Sequence, residues 1–283
     1  MAARGRSLVR KGANVVFVGF STATTLIALG ALAAILYSLL SKGVGGLNAS
    51  VFTMSTPAPG SQGGLANAIV GSLMLCGLGM AIGLVVGVLA GTWLAEYGGD
   101  GWYAKVVRFM NDVLLSAPSI LVGLVVYNVM VAHLIHHFSG WAGGVALGLI
   151  AAPVVTRATE DILKLQPPSL RESGVALGTP MWTTVRKIMW RAAAGGMATG
   201  GLLAFARISG ETAPLLFTSL NRQFFSLDMG REMSSLPVVI YNFALSAYDD
   251  WQRLAWVGAL LIAAAVFATD VIARVLIREQ RRS

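Results

Sequence analysis

Arg207 and Glu211 stand four residues apart in a stretch, Ala192 to Thr218, that is otherwise apolar. A charge at mid-bilayer depth costs at least ~2.5–3.5 kcal/mol, so such groups face a bundle interior or a wet cavity. On a helix, residues i and i+4 share a face, so the two can neutralise each other. Two chemistries fit this pair: a structural clamp between helices, and a polar lining on a solute path.

Other chemistry-bearing residues give less. His133, His136 and His137 have helical spacing that suits a metal, but no acidic or thiol partner lies near them in sequence, and metals require a full ligand set. They also suit an interfacial cluster, and we expect no metal site. The single cysteine, Cys76, lies in an apolar span and has no intrachain partner. None of Lys11, Lys42, Lys105, Lys164 or Lys187 follows a glycine, so no phosphate-cradling Gly-Lys-[Ser/Thr] loop exists. Any ATP-driven motor must therefore sit on another chain. No nucleophile with an oriented base appears in the spans, which argues against a hydrolase and against any enzyme.

The elements that position these residues are membrane helices. The 283 residues are 55% hydrophobic and 12% charged, with mean hydropathy +0.70; soluble domains carry about 25% charged residues. The expected fold class is all-α and polytopic. Six apolar runs are read as spans: Ala13–Leu40, Leu65–Ala95, Phe109–Leu134 with Pro118 inside, Trp141–Val155, Ala192–Leu220 and Leu254–Val275. The net charge of +8 does not indicate nucleic acid, because the basic residues lie between the spans. Arg4, Arg6, Arg10 and Lys11, then Lys105 and Arg108, fall on one side. So do Arg157, Lys164, Arg171, Arg186, Lys187 and Arg191, and finally Arg274, Arg278, Arg281 and Arg282. Only Lys42, Arg222, Arg231 and Arg253 fall on the other. The positive-inside rule makes both termini cytoplasmic. On the outside, residues 41–64 read as an exposed Gly/Ser/Thr/Pro loop. Residues 219–253, with Phe224, Phe225, Tyr241 and Trp251, read as an interfacial layer with a re-entrant or lid-like piece.

The cytoplasmic segment before the fifth run is the other informative piece. Pro167 and Pro168 break the chain, Ser169 is a candidate cap, and Glu172 falls at the third helical position. A short helix Leu170–Leu177 is expected, closed by Gly178, with Thr179-Pro180 opening a second one. Two short helices outside the membrane suit a docking element; Trp182, Arg186, Lys187 and Trp190 equally suit a connector lying on the lipid surface.

The spacing Glu172-x5-Gly178-x9-Ile188 resembles the signature loop of ABC-importer permeases, Glu-Ala-Ala-x3-Gly-x9-Ile-x-Leu-Pro. Ser173 and Gly174 stand in place of its alanines, and Trp190-Arg191 in place of its Leu-Pro. The run Ala206-Arg207-Ile208-Ser209-Gly210-Glu211-Thr212-Ala213-Pro214-Leu215-Leu216 resembles the phosphate branch of that family, the PstA type. Gly63-Gly64-Leu65-x-Asn67-Ala68-Ile69, Ser116-Ala117-Pro118-Ser119-Ile120, Leu236-Pro237 and Trp251-Gln252-x-Leu254-Ala255-Trp256 resemble it too.

The resemblance implies a type I ABC-importer permease with a MetI-like core over 63–283 and a coupling loop at about 160–191. Residues 1–62 then form the tail, first span and external loop. It implies a second permease chain of the PstC type, two ATP-binding subunits of the PstB type carrying ATP and Mg2+, and an external phosphate-binding protein of the PstS type. The chain itself would hold no cofactor and would sit in the bacterial inner membrane. Arg171, Glu172 and Gly178 map to ATPase coupling, and Arg207, Glu211 and Thr212 to the substrate path. An ion-coupled carrier or channel for anions, an ABC permease for another oxyanion, and a structural membrane protein are the alternatives; the carrier needs a coupling ion but no ATPase.

Overall fold

In the computed structural model the backbone is described for residues 2–280 and side chains for residues 11–275. The side chains of Arg4, Arg6, Arg10 and Arg278 fall outside that range, and Arg281 and Arg282 lie outside the described residues altogether. The described chain is all helix, with no strand.

The centre is a seam between two long apolar helices, α3 (Ala66–Glu96) and α6 (Gly140–Lys164). Gly79, Gly83 and Gly87 recur every fourth residue on α3, so they share one face. A methyl group on Gly83 would sit 2.6 Å from the Ala151 Cβ, and one on Gly79 would sit 2.7 Å from the Leu147 Cβ. The two backbones are therefore in closest approach, as small residues allow between membrane helices. Around the seam Leu75, Leu147, Ile150, Val155, Ile208 and Val238 form the main core. α9 (Trp190–Ser209) packs on both helices.

Long helix α1 (Ala2–Gly45) stands apart from this centre. Its apolar window is unburied, and it meets the rest at its outer end, where Lys42 lies 4.9 Å over the Trp256 ring of α12 (Asp249–Gln280). Residues 41–64 are not the free loop expected from their composition. α2 (Ala49–Thr53), capped by Asn48, inserts Val51 into a second core with Leu65, Val239, Phe243 and Val257. The tip at 58–62 stays exposed, as do Phe52 and Met54 on the other side of α2. Within 219–253 the chain forms α11 (Leu236–Ala244), which packs against α12 with Phe243 stacked on Trp251 at 4.3 Å.

Three expected spans differ in form. The third is broken at Ser116-Ala117-Pro118, where α4 (Trp102–Ser116) meets α5 (Ser119–Val126) at a bend of 105°. Pro118 lacks an N–H and pushes Ala117 out of the helical region, so the ladder stops there. Beyond α5 the chain continues in wider π-helical turns, Tyr127–Ile135. The fourth runs ten residues or so past the expected Pro153-bounded end, to Lys164, because tight packing on α3 outweighs the one missing hydrogen bond at Pro153. The fifth breaks at Gly210-Glu211-Thr212 and resumes as α10 (Ala213–Thr218). Gly210 is a weak helix former, and the Pro214 ring would clash with the Gly210 carbonyl in a continuous helix.

α1, α3, α6 and α12 are long and apolar enough to cross a membrane, and the bent α4–α5 pair makes up to five crossings. This is a multi-pass membrane protein. α9, with Arg191 and Arg207, is not among these helices, so the expected six crossings require it as a charged span.

Candidate functional site

The polar break at the end of α9 brings Arg207, Glu211 and Thr212 together. Arg207 occupies the last turn of α9; Glu211 lies beyond the helix, its N–H donating to the Ile208 carbonyl at 3.3 Å. The pair is thus not two positions on one continuous helix, as the spacing had suggested. The Arg207 Nε stands 4.0 Å from the Glu211 carboxylate, with the arginine 37% and the glutamate 16% exposed. No hydrogen bond from the Arg207 guanidinium occurs among the described residues. Thr212 opens α10, and its carbonyl accepts the Leu216 N–H at 3.2 Å. The break is braced from behind: a methyl on Gly123 of α5 would lie 2.5 Å from the Pro214 Cα.

Ile208 and Ala204 of the same helix are fully buried against α3 and α6, while Arg207 looks away from that core. A cavity of about 450 Å³ opens nearby between α3, α9 and α12, beside Cys76 and Ser209. Its walls are apolar apart from the hydroxyls of Ser72 and Ser209 and hold no charged side chain, so it offers an anion no countercharge. The Arg207 face is the one with chemistry for an oxyanion: free, planar, charge-bearing donors.

At the other end lies the segment 165–189. α7 (Pro168–Ala176) begins two residues earlier than expected, with Pro167 as its cap. Ser169 therefore lies inside the helix and makes no cap, because Pro168 is pre-set for the first helical position. Gly178 closes α7 in the left-handed conformation, φ +67°, as its residue type predicts. Behind it the Thr179 N–H and hydroxyl both donate to the Gly174 carbonyl, at 3.1 and 2.8 Å. α8 (Met181–Thr184) returns toward α9 through π-helical turns, Val185–Met189. The loop's outer side shows Val175, Leu177 and Trp182, at 68%, 76% and 60% exposure, with Glu172 also exposed and unpaired among the described residues.

Arg171 does not join that outer face. Its Nε and Nη2 donate to the two oxygens of Glu96, each at 2.7 Å, and Nη2 also donates to the Leu163 carbonyl at 2.9 Å. The hydrogen bond to Glu96 raises the Arg171 pKa above its ordinary value, against the opposing effect of burial. A second buried carboxylate lies nearby. Glu160 of α6 accepts from Arg108 of α4 at 2.7 Å and from Lys164 at 2.6 Å. Trp190 of α9 donates to Thr92 of α3 at 3.1 Å.

Glu96, Glu160, Arg108 and Asn67 escape sequence reasoning as functional candidates. Asn67, at the outer end of α3, donates to the Arg222 and Gln223 carbonyls and accepts from the Thr56 N–H, tying two external segments together. An amide inside an otherwise apolar span was the signal. For metals the structure offers little: no group of three His, Cys, Asp or Glu side chains is placed to hold an ion among the described residues. His133 and His137 bond instead to the backbone oxygens of Asn128 and Phe138.

The chain belongs to the family of binding-protein-dependent transport system inner membrane components, whose profile matches residues 83–282. Over nearly all its length it is similar to the phosphate transport system permease protein PstA of Haemophilus influenzae. That relative is 48% identical over 272 residues, 96% of each chain. The PstA of Yersinia pestis is 49% identical over 279 residues, 98% of this chain and 94% of that one. Among solved structures, the fold matches a chain of the inward-facing MetNI methionine ABC transporter with TM-score 0.64. The match is 17% identical and covers 75% of this chain and 94% of the other.

Proposed function

We propose that this chain is the membrane permease subunit of an ATP-driven importer of inorganic phosphate. The observation that carries the reading is the near-full-length likeness to the PstA permeases. The guanidinium at the α9 break, which stands 4.0 Å from Glu211 and makes no hydrogen bond among the described residues, adds a chemical reason, since planar charged donors match phosphate oxygens and offset their charge.

Arg207, Glu211 and Thr212 line the path in this proposal. Glu211, at 4.0 Å, balances Arg207 between transits without consuming its donors. It also keeps phosphate from binding too firmly, since passage requires release as much as capture. Glu172, Gly178 and the apolar outer face of α7 and α8 dock a separate ATPase, with Arg171 supporting the loop from within. ATP and Mg2+ belong to that partner pair. A second, PstC-type permease completes the path, two PstB-type subunits drive it, and a PstS-type protein delivers phosphate from outside. The assembly sits in the bacterial inner membrane with both ends of this chain cytoplasmic and α9 as the sixth, charged crossing. Residues 1–62 then form a peripheral unit and 63–283 the core. Closure of the ATPases on ATP moves the docking loop, opens the permease outward, and hydrolysis resets it.

The test is uptake of labelled phosphate by the purified complex in sealed vesicles, with the binding protein present. Uptake that needs ATP and ignores ion gradients is expected. Uptake driven by an ion gradient without ATP would make the chain a secondary carrier; transport of sulfate or molybdate but not phosphate would reassign the solute.

A further inference from the structure

The resemblance maps Arg171 to ATPase coupling, and its guanidinium points back into the chain, onto a carboxylate at the C-terminal tip of α3. Glu96 is the last residue of α3 and its side chain is 1% exposed. It accepts two parallel hydrogen bonds of 2.7 Å from the Arg171 fork. Such bidentate pairs fix orientation as well as position. Arg171 also holds the Leu163 and Gln166 carbonyls, so its fork gathers the ends of α3 and α6 under α7.

The rest of α7 is held mainly by its own neighbours. Gly174 abuts Thr184 of α8, and Thr179 bonds both the Gly174 carbonyl and the Thr184 hydroxyl. α7 and α8 thus form one unit, and the Glu96–Arg171 pair is its charged strut to α3. α3 in turn runs the length of the glycine seam to Asn67, which ties it to the external segments at Thr56 and Arg222. A displacement of α7 has a stiff, directional route into α3 and from there to the outer face.

We propose that Glu96 is a positioning residue of the transport cycle: by gripping Arg171 it carries movement of the α7–α8 unit into α3. The inference rests on the reading of that unit as the ATPase dock. Neither residue touches the solute in this scheme.

The experiment uses the whole reconstituted complex and reads phosphate uptake, ATP hydrolysis and co-purification of the ATPase subunits side by side. In Glu96→Gln the ATPases remain bound and hydrolysis stays within about twofold, while uptake per ATP falls about tenfold, the size of a typical coupling between sites. Arg171→Lys keeps the charge but lacks the fork, and shows the same uncoupling to a smaller degree. Because the two act through one contact, Glu96→Gln combined with Arg171→Lys is no worse than the more severe single change. Unchanged uptake per ATP overturns the proposal. So does a parallel fall of uptake and hydrolysis, or loss of the ATPases, since either means that Glu96 only shapes the loop. If Glu96→Gln does not accumulate in the membrane, Arg171→Lys is read by the same criteria. The docking reading fails separately: Leu177→Asp that leaves the ATPases bound would remove it.

Discussion

The Arg207 guanidinium stands 4.0 Å from the Glu211 carboxylate across the end of α9, whereas Arg171 grips Glu96 at 2.7 Å. The two pairs share residue types and differ in what they leave unused. The short pair spends its donors and fixes a joint. The long pair balances charge and leaves donors free, and this difference favours the solute-path role of Arg207 over a clamp.

Arg207→Gln should therefore reduce phosphate uptake to background while the complex still assembles, because the amide keeps much of the bulk but loses the charge and the fork. Uptake by the purified complex, with subunit composition checked on the same sample, decides it. Normal uptake would return Arg207 to a structural role.

Glu172 is exposed on the outer side of α7, and its carboxylate has no hydrogen bond or ion pair among the described residues. Glu172→Lys should leave folding intact and weaken ATPase association, because it reverses charge on the docking face. Co-purification of the ATPase subunits measures this; retention of both subunits together with full uptake would remove Glu172 from the interface.

At the α3–α6 seam, Gly83→Leu forces a side chain into space already held by Ala151, whose Cβ lies 2.6 Å from where the first added carbon would go. Overpacking of this kind costs about 1–3 kcal/mol or more. A lower unfolding temperature in detergent is expected, with less protein in the membrane. The exposed Gly12, which has nothing within 4 Å of such a carbon, should accept alanine without effect.

Asn67→Ala would strip the partner from the Thr56 N–H and from the Arg222 carbonyl near the start of α3, and leave the Gln223 carbonyl only the Thr56 hydroxyl at 3.3 Å. Leaving buried polar groups unpaired costs about 1–3 kcal/mol each at full burial. Increased proteolysis of residues 54–64 and 219–235 in spheroplasts would report the loosened external segments; an unchanged digestion pattern would count against this lock.

Much of this protein is set by short-range pattern. Apolar runs mark the helices because a bilayer accepts only internally bonded backbone. Gly178 ends α7 because only a residue without a Cβ takes φ +67° cheaply. Arg207 and Glu211 stand out because charge in an apolar run is costly, whereas the Glu172-to-Gly178 spacing was legible through its resemblance to the loop of ABC-importer permeases. What the spacing could not reveal was the form of the breaks. Pro118, Gly210 and Pro214 signal interruption, but whether a helix kinks or stops depends on what packs behind it, here Pro214 on Gly123.

Tertiary structure alone decided the destinations of the charges. Glu96 and Glu160 look like ordinary acids at helix ends; their arginines lie 75 and 52 residues away in the chain, and only folding brings them within 2.7 Å. It likewise turned Arg171 inward and left Arg207 at 4.0 Å from Glu211 with no hydrogen bond to its donors among the described residues. Local sequence determines which segments enter the membrane, because solvation acts on each residue where it stands. Which charges are spent and which stay free is a matter of long-range packing, because an ion pair depends on two distant helices arriving at one place.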